Sequence, residues 1–247
     1  MFSRTLQLLG ETSFSRLQTV RVILFGVGGV GGWCAESLVR TGVQHLTIVD
    51  FDTVAPSNLN RQVVATSANV GQLKVEEMYR RLLAINPSAD IVTVPAKYGS
   101  DGMLDYGDRR EAIDFSQYDY VIDAIDTLDC KLRLIHDVTS ASLSAEAQSC
   151  GSNAPLHPVL FSSMGAGRKV DPAQVRVAEF WKVEGCPLAR ALRTKMKKSG
   201  LLPQRKFLCV YSPEQSADQG SLAPVVGTFG FTLSSLLIRD CQSSNRA

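Results

Sequence analysis

The chain has 247 residues, of which 45% are apolar, and a formal net charge of +2. This composition is typical of a globular protein with a full core, and so small a net charge does not identify a nucleic-acid-binding protein. The six cysteines, at positions 34, 130, 150, 186, 209 and 241, form no C-x-x-C pair, which excludes a structural zinc site of the usual spacing. The charged, polar N-terminus shows no secretory signal, so we expect reduced thiols and a cytoplasmic location.

Apolar runs and amphipathic segments alternate along the first part of the chain. After an N-terminal helix at 1–19, with Thr12 or Ser13 as a possible cap, the pattern predicts strands at 20–25, 46–49, 91–95 and 120–125 and helices at 31–41, 74–85 and 130–138. This alternation predicts a Rossmann-like, doubly wound α/β fold with a mostly parallel sheet. The polar residues 98–117 are expected to pack outside the sheet, and residues 140–154 are interpreted as a helix.

Beyond residue 155 the pattern changes to apolar runs at 159–164, 175–180 and 207–211, with a basic helix at 187–199. We expect an antiparallel C-terminal extension of the sheet. Residues 1–247 are interpreted as a single domain, with a nucleotide-binding part at about 20–154 and a substrate-facing part at about 155–247. The apolar segment 222–238 is long enough to cross a bilayer, but its hydroxyl side chains favour a buried closing helix over a membrane anchor. Peripheral membrane association stays open.

A glycine-rich loop follows the first predicted strand and opens the next helix. Its glycines are Gly26, Gly28, Gly29 and Gly31. In this setting the backbone can approach phosphate groups closely. Asp50 ends the following strand, where an acid suits the ribose hydroxyls of a nucleotide. Taken alone, these features are equally typical of a redox dinucleotide site.

The polar residues after Asp50 favour a triphosphate over a redox cofactor. Arg61 and Lys74 supply fixed positive charge, and Asn58 supplies an amide donor. Such cations stabilise the charge that develops when pyrophosphate leaves. The sequence therefore favours a nucleotide held for cleavage, with solvated surface charges as the alternative.

These motifs resemble those of the ThiF/MoeB superfamily of carboxylate-adenylating enzymes, which is related to the ubiquitin-activating enzymes. The resemblance extends from residue 2 to about 240, and the matching segments are 3–5, 9–10, 26–31, 50–52, 57–62, 71–74, 85–87 and 123–126. Within the superfamily the chain is most similar to the tRNA threonylcarbamoyladenosine dehydratases, through segments 121–126, 164–172, 187–189, 209–214 and 227–231. The absence of paired cysteines agrees with that branch.

The resemblance implies a role for each matching residue. It assigns ATP to the glycine loop and to six polar residues, Asp50, Ser57, Asn58, Arg61, Lys74 and Asp126. Asp126 would also hold Mg²⁺, and it would act in catalysis with Arg61, Lys74 and Arg4. Arg4 is assigned to the nucleotide site of the partner subunit in a homodimer. Asp123 is the rival carboxylate, for which we expect a structural role as a helix or loop cap.

The implied reaction begins with adenylation of a carboxylate by ATP. In the dehydratase family this carboxylate is the threonyl group of a modified adenosine in a tRNA anticodon loop, and the carbamoyl group then displaces AMP and closes a ring. Contacts with the tRNA backbone are expected from basic residues, because residues 182–206 hold eight basic residues against one acid. The candidates are Arg168, Lys169, Arg190, Arg193, Lys195, Lys197 and Lys198. A solvated helix face is the alternative.

Two other functions stay open on the sequence. One is adenylation of the C-terminus of a ubiquitin-like or sulfur-carrier protein, for which Cys150 or Cys186 could supply a catalytic thiol. The other is a redox enzyme or NAD-sensing module, which Asp50 fits but Asn58, Arg61 and Lys74 do not. Sulfur-relay proteins are further possible partners.

Overall fold

The computed structural model describes residues 1–142 and 157–243. The chain begins with two short helices, α1 (Ser3–Leu9) and α2 (Glu11–Thr19). The prediction of one helix over residues 1–19 is wrong at Gly10, whose φ of 77° and ψ of 163° interrupt the helix. Gly10 is also the N-cap of α2, in place of Thr12 or Ser13. Glycine adopts this positive φ without the steric cost that a side chain would bring.

Strands and helices then follow close to their predicted positions. The strands are β1 (Arg21–Phe25), β2 (His45–Val49), β3 (Asp90–Val94), β4 (Lys97–Tyr98), β5 (Met103–Asp105), β6 (Arg110–Ala112), β7 (Tyr120–Asp123), β8 (Val159–Ser163), β9 (Arg176–Glu179) and β10 (Leu208–Tyr211). The remaining described α-helices are α3 (Gly29–Thr41), α4 (Lys74–Ile85), α5 (Leu128–Ser140), α6 (Pro187–Ser199) and α7 (Ala223–Ser243). Most of the helix predicted at 140–154, including Cys150, lies outside the described residues.

Seven strands form one sheet in the order β3-β2-β1-β7-β8-β10-β9. Each neighbouring pair is parallel except β9 and β10, which are antiparallel. The predicted doubly wound, mostly parallel α/β fold is therefore confirmed. The antiparallel extension is limited to the edge strand β9, because β10 returns parallel to β8.

Alternate residues of β1 show why helices cover both faces of the sheet. Val22 and Leu24 belong to a core formed with α3, α4 and α7, whereas Ile23 and Phe25 belong to a second core formed with α5 and α6. Since both faces bury apolar side chains, the central strands read as continuous apolar runs rather than as an alternating pattern.

The remaining strands, β4, β5 and β6, form a separate antiparallel sheet. Tyr98, Leu104 and Phe115 are buried in the core that contains Phe25, whereas every residue of β6 is exposed. The prediction that residues 98–117 lie outside the main sheet is confirmed. The low apolar periodicity of residues 98–117 agrees with a small sheet in which few side chains are covered by the core.

Helix α7 closes the fold by packing against α3. Gly230 permits the close approach, because a Cβ at this position would lie 2.6 Å from the carbonyl oxygen of Val30. Phe229, Leu233 and Leu237 are buried, as the prediction of a closing helix requires. In residues 1–142 and 157–243 we find no helix with the length and apolar character needed to span a bilayer.

Candidate nucleotide site

A cavity of about 380 Å³ opens at the carboxyl ends of β1, β2 and β7. Strand β1 is flanked by β2 on one side and by β7 on the other, so the loops that follow these strands diverge here. In open α/β sheets such a switch point is the usual place for a ligand. The position of the cavity is thus a consequence of the strand order.

The glycine loop forms one wall of the cavity, and two of its positions exclude any side chain. A Cβ on Gly26, whose φ is 89°, would lie 2.8 Å from the carbonyl oxygen of Ala124, and a Cβ on Gly31 would lie 1.8 Å from that of Gly26. Gly28 and Gly29 face the cavity at the start of α3. Unpaired N–H groups at a helix N-terminus, together with the helix dipole, favour an anion there.

Asp50 lies directly after β2 and faces the same cavity. Its carboxylate accepts hydrogen bonds from the backbone N–H groups of Val27 at 2.7 Å and Asp52 at 2.9 Å. Burial raises the pKa of Asp50, and the nearby Lys74 ammonium acts in the opposite direction. The carboxylate therefore fixes the glycine loop while each of its oxygens keeps a lone pair for a ligand hydroxyl.

Lys74 begins α4 and is nearly buried, with its ammonium group on the cavity wall. Its Nζ donates to Oδ2 of Asp52 at 2.6 Å, and the Asp52 side chain is 47% exposed. Asp52 was not predicted as a site residue, although it belongs to the matching segment 50–52. Lys74 is thus paired with the half-exposed carboxylate of Asp52, and a ligand phosphate could replace this partner.

Arg61 also lines the cavity, and its guanidinium is held at the rim. Its Nη1 donates to the carbonyl oxygen of Ser57 at 2.7 Å and to the side-chain oxygen of Asn60 at 2.9 Å. Ser57 and Asn58, which were expected to bind ATP, are not among the residues that line the cavity. The Asn58 side chain accepts a hydrogen bond from the N–H of Ala55 at 3.1 Å, which makes it a cap for this turn.

Gln62 faces the cavity beside Gly28 and is a residue that sequence reasoning missed. Its side chain is nearly buried, and its Oε1 atom has no hydrogen-bond partner among the described residues. A buried polar atom without a partner costs about 1–3 kcal/mol. A bound ligand that donates to this amide would remove that cost. Its position next to Arg61 in the matching segment was the available signal.

The two candidate carboxylates at the end of β7 and in the loop that follows it occupy different environments. Asp126 is exposed and lines the cavity. Asp123 is fully buried and accepts hydrogen bonds from Ser162 Oγ at 2.6 Å and from the N–H of Ile125 at 3.1 Å. Its Oδ2 also lies 2.7 Å from Nζ of Lys131, which is equally buried. Asp123 therefore does not reach the cavity, in agreement with the structural role expected for it.

The buried pair of Asp123 and Lys131 holds the loop that carries Asp126. Lys131 Nζ donates to the carbonyl oxygen of Ile125 at 3.0 Å, while Asp123 accepts from the N–H of the same residue. Both polar groups of the Ile125 backbone are therefore fixed. Since Asp126 is the next residue, its carboxylate is presented to the cavity from a fixed backbone.

Arg4 lies apart from the cavity of its own chain. It is exposed on α1, a helix that buries none of its residues. The assignment of Arg4 to a nucleotide site therefore stays a prediction that depends on a partner subunit.

Three of the seven candidate tRNA-binding residues lie in solvent on the outer face of α6. Arg190, Lys197 and Lys198 are exposed, whereas Ala189, Leu192 and Met196 fix the buried side of the helix. Positions 190, 197 and 198 are seven and eight residues apart, so they lie on one face. None of these three cations has an ion-pair partner within the described part of the chain.

The side chains of the other four candidates bind other groups of the protein. Arg193 donates to the carbonyl oxygens of Phe180 and Val183, and Lys195 forms an ion pair with Asp129. Lys169 is nearly buried, donates to the carbonyl oxygen of Glu214 at 2.7 Å, and has its pKa lowered by burial. Arg168, with a φ of 61°, donates to the carbonyl oxygens of Ser216 and Ala217. Arg193 and Lys195 are therefore engaged within the protein in this structure, and of the five candidates on α6 only Arg190, Lys197 and Lys198 are exposed.

Helix α6 lies beside the cavity. A Cβ on Gly165, a wall residue, would lie 3.3 Å from the Leu188 side chain near the start of the helix. Farther along, Lys195 reaches Asp129, which precedes the wall residue Cys130. The exposed cations are therefore carried by a helix that contacts residues of the cavity wall and residues next to it.

The five cysteines within the described residues are free and buried. Cys186 donates its S–H to the carbonyl oxygen of Met164 at 3.2 Å. Burial raises the pKa of the Cys130, Cys34 and Cys209 thiols, and raises that of Cys241 to about 11. A nucleophilic cysteine is an accessible thiolate, so Cys186 does not suit that role. Cys150 lies outside the described residues.

Residues 2–165 match the ThiF family, and the chain belongs to that family. Among curated proteins, it is 34% identical over 203 residues to the tRNA threonylcarbamoyladenosine dehydratase of Bacillus subtilis, covering 81% of this chain and 70% of the relative. The dehydratase of Escherichia coli is 34% identical over 218 residues, covering 86% of this chain and 73% of the relative. The resemblance found in the sequence is therefore confirmed.

Solved structures agree with this relationship. The structure of E. coli tRNA N6-threonylcarbamoyladenosine dehydratase, TcdA, in complex with ATP has a TM-score of 0.81 and 30% identity, covering 99% of this chain and 95% of that one. E. coli MccB with ATP, at 16% identity and a TM-score of 0.55, shares the fold alone.

Proposed function

We propose that this chain is an ATP-dependent tRNA threonylcarbamoyladenosine dehydratase. It would adenylate the threonyl carboxylate of the modified adenosine and cyclise it, with release of AMP and pyrophosphate. The supporting observation is the convergence of the glycine loop, Asp50, Arg61, Lys74 and Asp126 on one cavity. The dehydratases that the chain resembles over most of its length include one solved with ATP.

In the proposed complex, ATP binds along the cavity wall. The glycine loop and the N-terminus of α3 bind the phosphates, and Asp50 accepts hydrogen bonds from the ribose hydroxyls. Arg61 and Lys74 contact the leaving pyrophosphate, where their charge is worth most as the phosphoanhydride bond breaks. To make this contact, the Lys74 ammonium would release the Asp52 carboxylate and bind a phosphate oxygen instead.

Asp126 is the residue that suits a magnesium ion. Within residues 1–142 and 157–243 there is no group of three or more His, Cys, Asp or Glu side chains arranged to hold a metal. Mg²⁺ bound to nucleotides typically uses one or two carboxylates together with phosphate oxygens, so a single exposed carboxylate in the cavity fits. When bound, the ion would neutralise negative charge on the phosphates.

The reaction requires two displacements. First, a threonyl carboxylate oxygen bonds to the α-phosphorus of ATP while the bond to the β-phosphate breaks, which releases pyrophosphate. Second, the carbamoyl group attacks the acyl carbon, loses a proton and expels AMP, which leaves with the carboxylate oxygen. Neither step uses a protein thiol. The buried Cys186 is consistent with this route and offers no support to a carrier protein that forms a thioester.

The exposed face of α6 supports tRNA as the substrate. Arg190, Lys197 and Lys198 are exposed on α6, the helix beside the cavity, and would contact phosphates on either side of the nucleoside that enters. Contacts of this kind position a nucleic acid without reading its sequence.

Arg4 is proposed to complete the nucleotide site of a partner subunit. In a homodimer with this arrangement, an Arg4→Ala chain mixed with a Lys74→Ala chain forms heterodimers that contain one intact site. We expect the mixture to recover activity that neither parent shows. A mixture no more active than its parents would place Arg4 outside the site or in its own subunit's site.

The function is tested by incubating the protein with ATP, Mg²⁺ and tRNA that carries or lacks the threonylcarbamoyl group. We expect AMP only with the modified tRNA, together with loss of one water from the nucleoside by mass spectrometry. Asp126→Ala serves as the inactive control. AMP formation with a ubiquitin-like or sulfur-carrier protein, and none with modified tRNA, would contradict the proposal.

A further inference from the structure

A short turn after β9 presents an exposed tryptophan beside α6. Trp181 is 42% exposed, whereas the preceding Phe180 is fully buried. The two rings pack edge to face, with their centroids 5.2 Å apart. The chain has only one other tryptophan, Trp33, which is half-buried against Phe231. Trp181 is thus a large aromatic surface available to a ligand.

The turn that carries Trp181 is fixed from both ends. The Glu179 side chain accepts a hydrogen bond from the N–H of Trp181 at 3.1 Å. Arg193 of α6 donates to the carbonyl oxygen of Phe180 at 2.8 Å and to that of Val183. An aromatic side chain on a fixed turn loses little conformational freedom when it binds a ligand.

Exposed cations lie next to the tryptophan in the chain and on α6, the helix that holds its turn. Lys182 follows it directly and is exposed. Arg193, which holds the turn, lies three residues after Arg190 and four before Lys197, so both exposed cations are its neighbours on the same side of α6. An aromatic platform among cations that can contact a backbone is the arrangement that binds single-stranded nucleic acid.

We propose that Trp181 stacks on an unpaired base of the tRNA anticodon loop while Lys182, Arg190 and Lys197 contact the adjacent phosphates. This inference rests on the proposed tRNA substrate. In this proposal the stacked base is a neighbour of the modified adenosine, which itself enters the cavity. Sequence-specific and loop-specific RNA recognition commonly uses such stacking of unpaired bases.

The test compares Trp181→Ala and Trp181→Phe with the unaltered protein, using an RNA stem-loop with a seven-membered anticodon loop as the probe. We expect the Ala variant to bind about five- to 150-fold more weakly, the range for loss of one stacked base, and the Phe variant to retain most of the affinity. The slope of log affinity against log salt should stay unchanged in both, because the ring carries no charge. Lys197→Gln, the matched control, should instead reduce that slope by about one.

Fluorescence gives a second measurement that does not depend on affinity. Stacking on a base should quench the emission of Trp181, so RNA should quench the unaltered protein and have little effect on the Trp181→Phe variant, in which Trp33 remains. Equal affinity of the Ala variant, or equal quenching of the Phe variant, would overturn the stacking role. Failure of the unaltered protein to bind or modify tRNA would instead contradict the proposed function.

Discussion

Asp50, Lys74 and Arg61 in the nucleotide cavity are held by hydrogen bonds within the protein, whereas Arg190, Lys197 and Lys198 on the outer face of α6 have no ion-pair partner among the described residues. Asp50 follows β2 directly and accepts two backbone hydrogen bonds, so its carboxylate is fixed at the sheet edge. Arg190 and Lys197 project from a helix into solvent. The first arrangement suits chemistry at one atom, and the second suits a phosphate backbone that can bind in several ways.

This difference sets the size of the effect expected from each region. Fixed charges in a cavity that excludes water act strongly on a developing charge, because they need no reorganisation during the reaction. Exposed charges are screened by salt over about 8–10 Å, so each contributes little alone.

The largest expected effect is on stability, from the buried pair beneath the cavity. Lys131→Met leaves the Asp123 carboxylate buried without its counter-charge, and we expect the free energy of unfolding to fall by about 3–5 kcal/mol. The double variant Asp123→Asn/Lys131→Met removes both charges and should lose much less. Chemical denaturation measures both values. A single variant as stable as the unaltered protein would show that the pair does not hold this loop.

The next effect is on the rate of AMP formation. Arg61→Ala and Asp126→Ala should each lower it about 100- to 1,000-fold, because each removes an interaction with charge that appears as pyrophosphate leaves. Asp129→Ala is the matched control, since Asp129 is an exposed carboxylate near Asp126 that pairs with Lys195 instead of lining the cavity. Near-normal rates of AMP formation in the Arg61 or Asp126 variant would contradict the proposed adenylation mechanism.

The smallest effects are expected from α6. Arg190→Gln and Lys197→Gln should each reduce the salt slope of tRNA binding by about one, whereas Lys195→Gln should leave it unchanged because Lys195 is paired with Asp129. Affinity measured at several salt concentrations distinguishes these variants. An equal loss for Lys195 and Lys197 would mean that tRNA displaces Asp129 and that the whole helix acts as one basic surface.

The same contrast explains what could be predicted from the sequence. Helix α4 begins at Lys74 and ends at Ile85, as predicted, because its apolar periodicity is local. Asp50 and Asp126 were expected at the ends of strands, and both line the cavity because the ends of parallel strands converge at the sheet edge. The break at Gly10 was missed because glycine weakens a helix without excluding one.

Side-chain partners distant in the sequence could not be predicted. Lys195 pairs with Asp129 and Arg193 turns toward Phe180, contacts that only the folded chain creates. Gln62 was missed for the same reason, because the burial of its amide depends on the glycine loop packed against it. The sequence pattern therefore indicated several residues that line the cavity, but it could not predict how the longer side chains are oriented.

The central claim is that a tRNA carboxylate attacks the α-phosphorus of ATP in this cavity. The most direct measurement uses tRNA whose threonyl carboxylate is labelled with a heavy isotope of oxygen, in unlabelled water with ATP and Mg²⁺. The account predicts that AMP gains one heavy oxygen by mass spectrometry and that pyrophosphate gains none. Unlabelled AMP, or label in pyrophosphate or free phosphate, would contradict an acyl-adenylate intermediate.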